Sequence, residues 1–145
     1  MGKYAVASIA GLMAYPGFGI YKVAKHGVVT PSETLYYELA QRNTQVGVWV
    51  LCPSFVKTNV MTSERNRPAE LQNAPSEESV SPPSEQQFLE FMKIVESGMA
   101  VEQVADAVFA GVAAKQLYIL THPEFNDAIT TRAANIVLQR NPVVG

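Results

Sequence analysis

The hydrophobic pattern changes period several times along this chain. Residues 3–8, "KYAVAS", form a short apolar run that predicts a strand. The run stops at "IAGLMAYPGFG", whose three glycines and one proline mark a loop. From Ile20 to Arg42 the pattern turns helical, with Ala24, Val28, Leu35 and Leu39 spaced by four, seven and four on one face. "QVGVWVLC" (45–52) is almost continuously apolar and suits a strand buried on both faces of a parallel sheet, ended by Pro53. Residues 62–87 are rich in Ser, Glu and Pro and nearly free of large apolar groups, which predicts either a flexible flap or plain disorder. Helices are then expected over 85–98 and 101–115, a buried strand over 116–121, and a last helix over 123–140. Strands alternating with helices make this an α/β chain with a parallel sheet, read as one domain over residues 1–145. In such sheets ligands bind beyond the carboxyl ends of the strands, where Ser8 and the segment after Cys52 both fall.

One local signal conflicts with the long helix. "TPSE" (30–33) is a helix start, with Thr30 as cap, Pro31 at the first helical position and Glu33 completing a capping box. Pro31 removes the hydrogen bond to the Gly27 carbonyl, but Gly27 lacks the Cβ that would add crowding. One kinked helix is the expectation.

Composition narrows the classes. Apolar residues make up 48% of the 145, enough for a core, and the net charge of −2 lacks the basic face of a nucleic-acid binder. No apolar run approaches the roughly 20 residues of a membrane span. The single cysteine, Cys52, cannot close an internal disulfide and suits a reducing, cytoplasmic compartment.

The chemistry concentrates in "YKVAK" (21–25). Tyr21 and Lys25 lie four apart, on one face of a helix. A free tyrosine, with a pKa of about 10, is a poor base at neutral pH, and a cation held nearby favours the phenolate. Such a phenol can act as general acid or base. Ser8, thirteen residues upstream of Tyr21, could hold the substrate oxygen. The set suits interconversion of a carbonyl and an alcohol, provided a nicotinamide carries the hydride. Tyrosine and lysine at this spacing are common on helix surfaces, so the neighbouring residues carry the weight.

Those residues resemble the short-chain dehydrogenase/reductase family. "ASIAGLMAYPGFGIYKVAKHGVVTPSETLYYELA" is similar to its active-site segment, a serine after a strand and then Y-x-x-x-K opening a long helix. "VWVLCPSFVKT" resembles the next strand and the P-G-x-V-x-T turn, and "VADAVFAGVAAKQLYILTHPE" a late helix and strand, so the likeness spans roughly 3–125. The resemblance implies part of a Rossmann-like, doubly wound parallel sheet: its C-terminal half, about three strands with flanking helices. It implies Ser8 polarising the substrate carbonyl, Tyr21 exchanging the proton, and Lys25 holding the nicotinamide ribose. Cofactor contacts would be Tyr21, Lys25, Pro53, Ser54, Val56 and Thr58, and Phe18 would border the substrate. The cofactor would be NAD or NADP, the substrate a small carbonyl or alcohol, and no metal is implied.

Three departures stand out. Ser54 takes the place of the family's usual glycine, and Pro31 that of a larger apolar residue. The glycine-rich phosphate loop of the family's first half is absent from the sequence. The chain is therefore expected to be inactive alone. It is also expected to self-associate, or to take a partner that covers the edge of the strand at 3–8. The competing expectation is a non-catalytic remnant serving as an interaction module. His26 reads as a surface residue, His122 as part of a strand-end turn and Cys52 as a buried strand residue, with no metal site among them.

Overall fold

The computed structural model describes residues 2–71 and 85–143. It contains two compact units, Met1–Ser54 with Glu102–Gly145, and Phe55–Val101.

The first unit is built on a parallel sheet of β1 (Gly2–Val6), β2 (Gly47–Cys52) and β3 (Tyr118–Leu120), in the order β1-β2-β3. Gly2 pairs with Gly47 and Val6 with Leu51, while Val50 pairs with Tyr118 and Cys52 with Leu120. The most apolar run is the central strand, as burial on both sides requires. Val48, Val50 and Cys52 point to one face and are buried, and Val50 and Cys52 form a core with Ala7 and Val29. That face is covered by α1 (Gly19–Gln41), which supplies Val29 and the partly buried Val28. Leu51 and Ile119 point to the opposite face. There α3 (Val101–Ala113) approaches so closely that a Cβ on Gly111 would lie 2.7 Å from the Ile119 side chain.

The first and third strands are shorter than their apolar runs. The first ends at Val6, although Ala7 N still donates to Leu51 O at 2.8 Å. Ser8 then caps a 3₁₀ turn over Ile9–Gly11. The expected tail helix is preceded by a 3₁₀ turn, Pro123–Phe125, and becomes α4 (Asn126–Val137).

Helix α1 runs through Pro31 as one element, so the capping signal at 30–33 does not start a helix. Its parts serve otherwise. Ser32 Oγ donates to Val28 O at 2.7 Å, and Thr34 Oγ1 donates to Thr30 O at 3.0 Å. The expected inward stripe holds at Val28, Leu35 and Leu39, but Ala24 is exposed. The buried face is centred on Lys22, Val29 and Ser32, and position 24, about 200° around the helix from Lys22, falls on the outer side. On the outer side Ile20 is 88% and Val23 72% exposed, an apolar surface facing away from the sheet.

Glu33 accepts a hydrogen bond from the Tyr118 hydroxyl at 2.5 Å, tying α1 to β3. Burial, and then this bond, push the Tyr118 phenol up from 10.0 to about 12. Because the folded value is raised, the contribution to stability is complete below pH 10.0 and disappears as pH rises through about 12. Tyr118→Phe is expected to flatten the decline of unfolding free energy in that window, read from denaturant titrations at several pH values. Equal slopes for both proteins would contradict the assignment.

In the second unit, Val56 bridges Met99 in parallel, Lys57 N donates to Met99 O at 2.9 Å, and Phe55 meets Phe91 edge-on at 5.9 Å. 3₁₀ turns occupy Asn59–Asn66 and Ala69–Leu71, and α2 spans Glu85–Glu96. The flap expected over 62–87 thus begins in these turns, and its stretch 72–84 lies outside the described residues. No helix among the described residues is long and apolar enough to cross a membrane.

Candidate active site

Strands β1 and β2 run parallel, so their carboxyl ends open on one edge of the sheet. Ser8 follows β1 there, and Pro53 and Ser54 follow β2. Ser8 is 8% exposed, and its Oγ accepts from Ala10 N and donates to Pro53 O, both at 3.2 Å. Pro53 O also receives Ile9 N–H at 2.9 Å. The Ser8 hydroxyl can therefore turn its proton toward a ligand without leaving the Pro53 carbonyl unpaired.

The turn that carries Ser8 is set directly on α1. A Cβ on Gly11 would stand 2.7 Å from the Lys25 carbonyl oxygen and 3.0 Å from Val29 Cγ2. Only glycine allows this approach, and the backbone it touches belongs to the candidate lysine. Lys25 Nζ donates to Val6 O at 3.4 Å and lies 5.4 Å from the centroid of the Tyr21 ring. The structure thus joins Tyr21 to Lys25, and Lys25 to the carboxyl end of β1. Tyr21 remains 46% exposed, which leaves its ring open to a ligand.

The loop before α1 is held by a residue that the sequence reading passed over. Lys22 is buried, donates to the carbonyls of Tyr15 and Gly17, and sits 3.5 Å over the Tyr15 ring centroid. A lysine near the N-terminal end of a helix opposes the helix dipole, and no acidic residue stands in the first turn. That local conflict is the one signal that could have marked it. The Tyr15 phenol is raised, chiefly by burial and secondarily by Tyr21. Gly17 and Phe18 both take the left-handed conformation, at φ 78° and 54°. For Phe18 this stores backbone strain at the mouth of the helix, a feature that clusters at ligand sites.

Ser54 is not among the residues with positive φ, so the family's glycine is not needed there for its backbone freedom. Its N–H instead donates to Nδ1 of His122 at 3.2 Å. His122 does stand in the expected strand-end turn after β3, and it is buried there. His26 is half-buried rather than on the surface, its Nδ1 donating to Lys22 O at 3.0 Å. Val56 and Thr58 belong to the second unit, where the backbone of Val56 bridges Met99. Cys52 is fully buried and its thiol is pushed up to about 11, chiefly by burial, so it is no nucleophile at neutral pH. Among the described residues no group of three or more His, Cys, Asp or Glu could hold a metal ion.

The model of the short chain dehydrogenase family matches residues 5–69. A "CLA biosynthesis dehydrogenase/reductase" of Lactiplantibacillus plantarum is 36% identical over 141 residues, covering 96% of this chain and 49% of its own length. A "C alpha-dehydrogenase" of Sphingobium sp. is 27% identical, over 86% of this chain and 38% of its own length. The chain therefore spans about half, or less, of the length of the curated relatives it matches. Among solved structures, a short chain dehydrogenase/reductase from Burkholderia phymatum, in complex with NAD, superposes with a TM-score of 0.83 at 36% identity, over 99% of this chain and 50% of that one.

Proposed function

We propose a reaction for this chain from one premise: the chain belongs to the short-chain dehydrogenase/reductase family. The reaction is the interconversion of a small carbonyl compound and its alcohol with a nicotinamide dinucleotide, NAD or NADP. The observation that carries the proposal is the placement of Tyr21 and Lys25 on successive turns of α1, with Lys25 Nζ at the carboxyl end of β1.

The donor set fits a nicotinamide ribose. Lys25 has three N–H donors, and among the described residues its only hydrogen bond is the 3.4 Å one to Val6 O, which leaves donors for ribose hydroxyls. The Tyr21 phenol adds a further donor and acceptor beside it. Pro53, Ser54, Val56 and Thr58 are proposed as contacts of the nicotinamide and its carboxamide, and Phe18 as a border of the substrate. When bound, the nicotinamide supplies the hydride that no side chain can carry. The relative from Burkholderia phymatum, which holds NAD, supports this choice of cofactor class.

The chain's own residues divide the remaining work. Ser8 turns its hydroxyl from Pro53 O to the substrate oxygen and fixes it. Tyr21 gives that oxygen a proton during reduction and takes one during oxidation. The Lys25 ammonium offsets the charge on the phenolate that remains. None of these residues forms a glycine-rich phosphate loop, so the pyrophosphate is proposed to be held by another stretch of the family fold. The outer edge of β1 and the exposed Ile20 and Val23 favour association, with a second copy or with that stretch.

Lys25→Ala tests the reading in the catalytically competent protein. Removing a charge-assisted contact is worth about 1.5–3 kcal/mol, so the dinucleotide KM is expected to rise about tenfold or more, with kcat falling as well. Unchanged dinucleotide KM and kcat, read from steady-state kinetics, would overturn the role of Lys25.

A further inference from the structure

We propose that His122 is a positioning residue for the turn that leaves β2, fixing the Ser54 amide along the backbone that the proposed function assigns to the nicotinamide. The inference rests on that reading for its consequence, but its geometry stands in this structure alone. Cys52 and Leu120 are register partners, so Pro53–Ser54 and Thr121–His122 leave the sheet side by side. The Ser54 N–H points at His122 Nδ1 from 3.2 Å. A nitrogen that receives an N–H bears no proton itself, so the ring is the neutral tautomer with its hydrogen on Nε2. The Thr121 hydroxyl, 2.7 Å from the same Nδ1, is then a donor as well.

Both residues are buried, Thr121 at 7% and His122 at 9% exposure, and the ring is flanked by Phe125 at 6.4 Å between centroids. The acceptor is thus held in place by packing and by a neighbouring hydroxyl, as a positioning group requires. On its other side the same turn is held by Ser8 Oγ and Ile9 N, which both donate to Pro53 O. The turn is gripped from β1 and from β3. His122 holds a serine where the family's glycine usually lies, at a backbone that has no use for glycine's freedom.

Nitrogen NMR of the protein without dinucleotide should show His122 with a bare Nδ1 and a protonated Nε2. A proton on Nδ1 would overturn the proposal, and this measurement needs no variant. His122→Phe keeps a ring and removes the acceptor, and the dinucleotide KM should rise about tenfold with a smaller change in kcat. His122→Asn places an amide oxygen near the position of Nδ1 and should return KM close to the wild-type value. If the Asn variant binds as poorly as the Phe variant, ring packing rather than the acceptor is responsible and the proposal falls. An unchanged KM in the Phe variant likewise overturns it, while leaving the oxidoreductase reading, which stands on Tyr21 and Lys25, intact.

Discussion

Tyr21→Phe, made in the catalytically competent protein, should lower kcat about 10²–10⁴-fold, the usual worth of a positioned acid or base. Dinucleotide affinity should fall far less than kcat, because the charged Lys25 contact to the ribose remains and only a neutral phenol contact is lost. Stability should change by less than about 0.5 kcal/mol, since Tyr21 is 46% exposed and its hydroxyl has no hydrogen bond among the described residues. The contrast separates chemistry from folding: a large kinetic loss with an unchanged denaturation midpoint. A variant that turns over at near the wild-type rate at neutral pH would remove Tyr21 from the reaction.

Gly11→Val should do the most damage to the scaffold. Its Cβ would meet the Lys25 carbonyl oxygen at 2.7 Å and carbon at 2.9 Å, both helix backbone that cannot swing aside. Overpacking of this kind costs typically about 1–3 kcal/mol, and here any relief requires α1 to move away from the turn that carries Ser8. A displacement of about 1 Å at a catalytic group can cost about 10²-fold in rate, so folded Gly11→Val protein should also be slow. Gly19→Ala is the control. Nothing lies within 4 Å of a Cβ there, and it should be neutral or stabilise by about 0.4–1 kcal/mol. Denaturant midpoints and kcat/KM of both variants check the pair. Equal behaviour of the two would contradict the close approach.

Much of the scaffold is written in short-range patterns. The apolar run at 47–52 announces a central strand because that strand is paired on both edges; Val48, Val50 and Cys52 on one face are buried, while Trp49 and Leu51 on the other are half-buried. The helical period after Ile20 announces α1 because one stripe must face the sheet. Tyr21 and Lys25 were legible because four-residue spacing fixes a shared helix face before any tertiary contact is known.

What escaped the sequence depends on contacts between distant residues. Gly11 looked like one more loop glycine, because its constraint comes from the Lys25 carbonyl and not from its own φ. Lys22 draws no notice in the sequence, because its role needs the carbonyls of a loop folded back over it. His122 lies 68 residues from Ser54, and only the β2–β3 register brings them together. At Pro31 the local capping signal lost to tertiary packing, since the helix is held on both sides of it by Val29 in the core and Glu33 against Tyr118.

The central claim is that Ser8 and Tyr21 act on one substrate oxygen, and a double-mutant cycle on kcat/KM tests it most directly. Groups that act as a unit give non-additive losses. If the claim holds, Ser8→Ala with Tyr21→Phe will be slower than Tyr21→Phe alone by no more than about tenfold, well short of the product of the two single losses. Losses that multiply in full would show two independent roles and contradict the shared site.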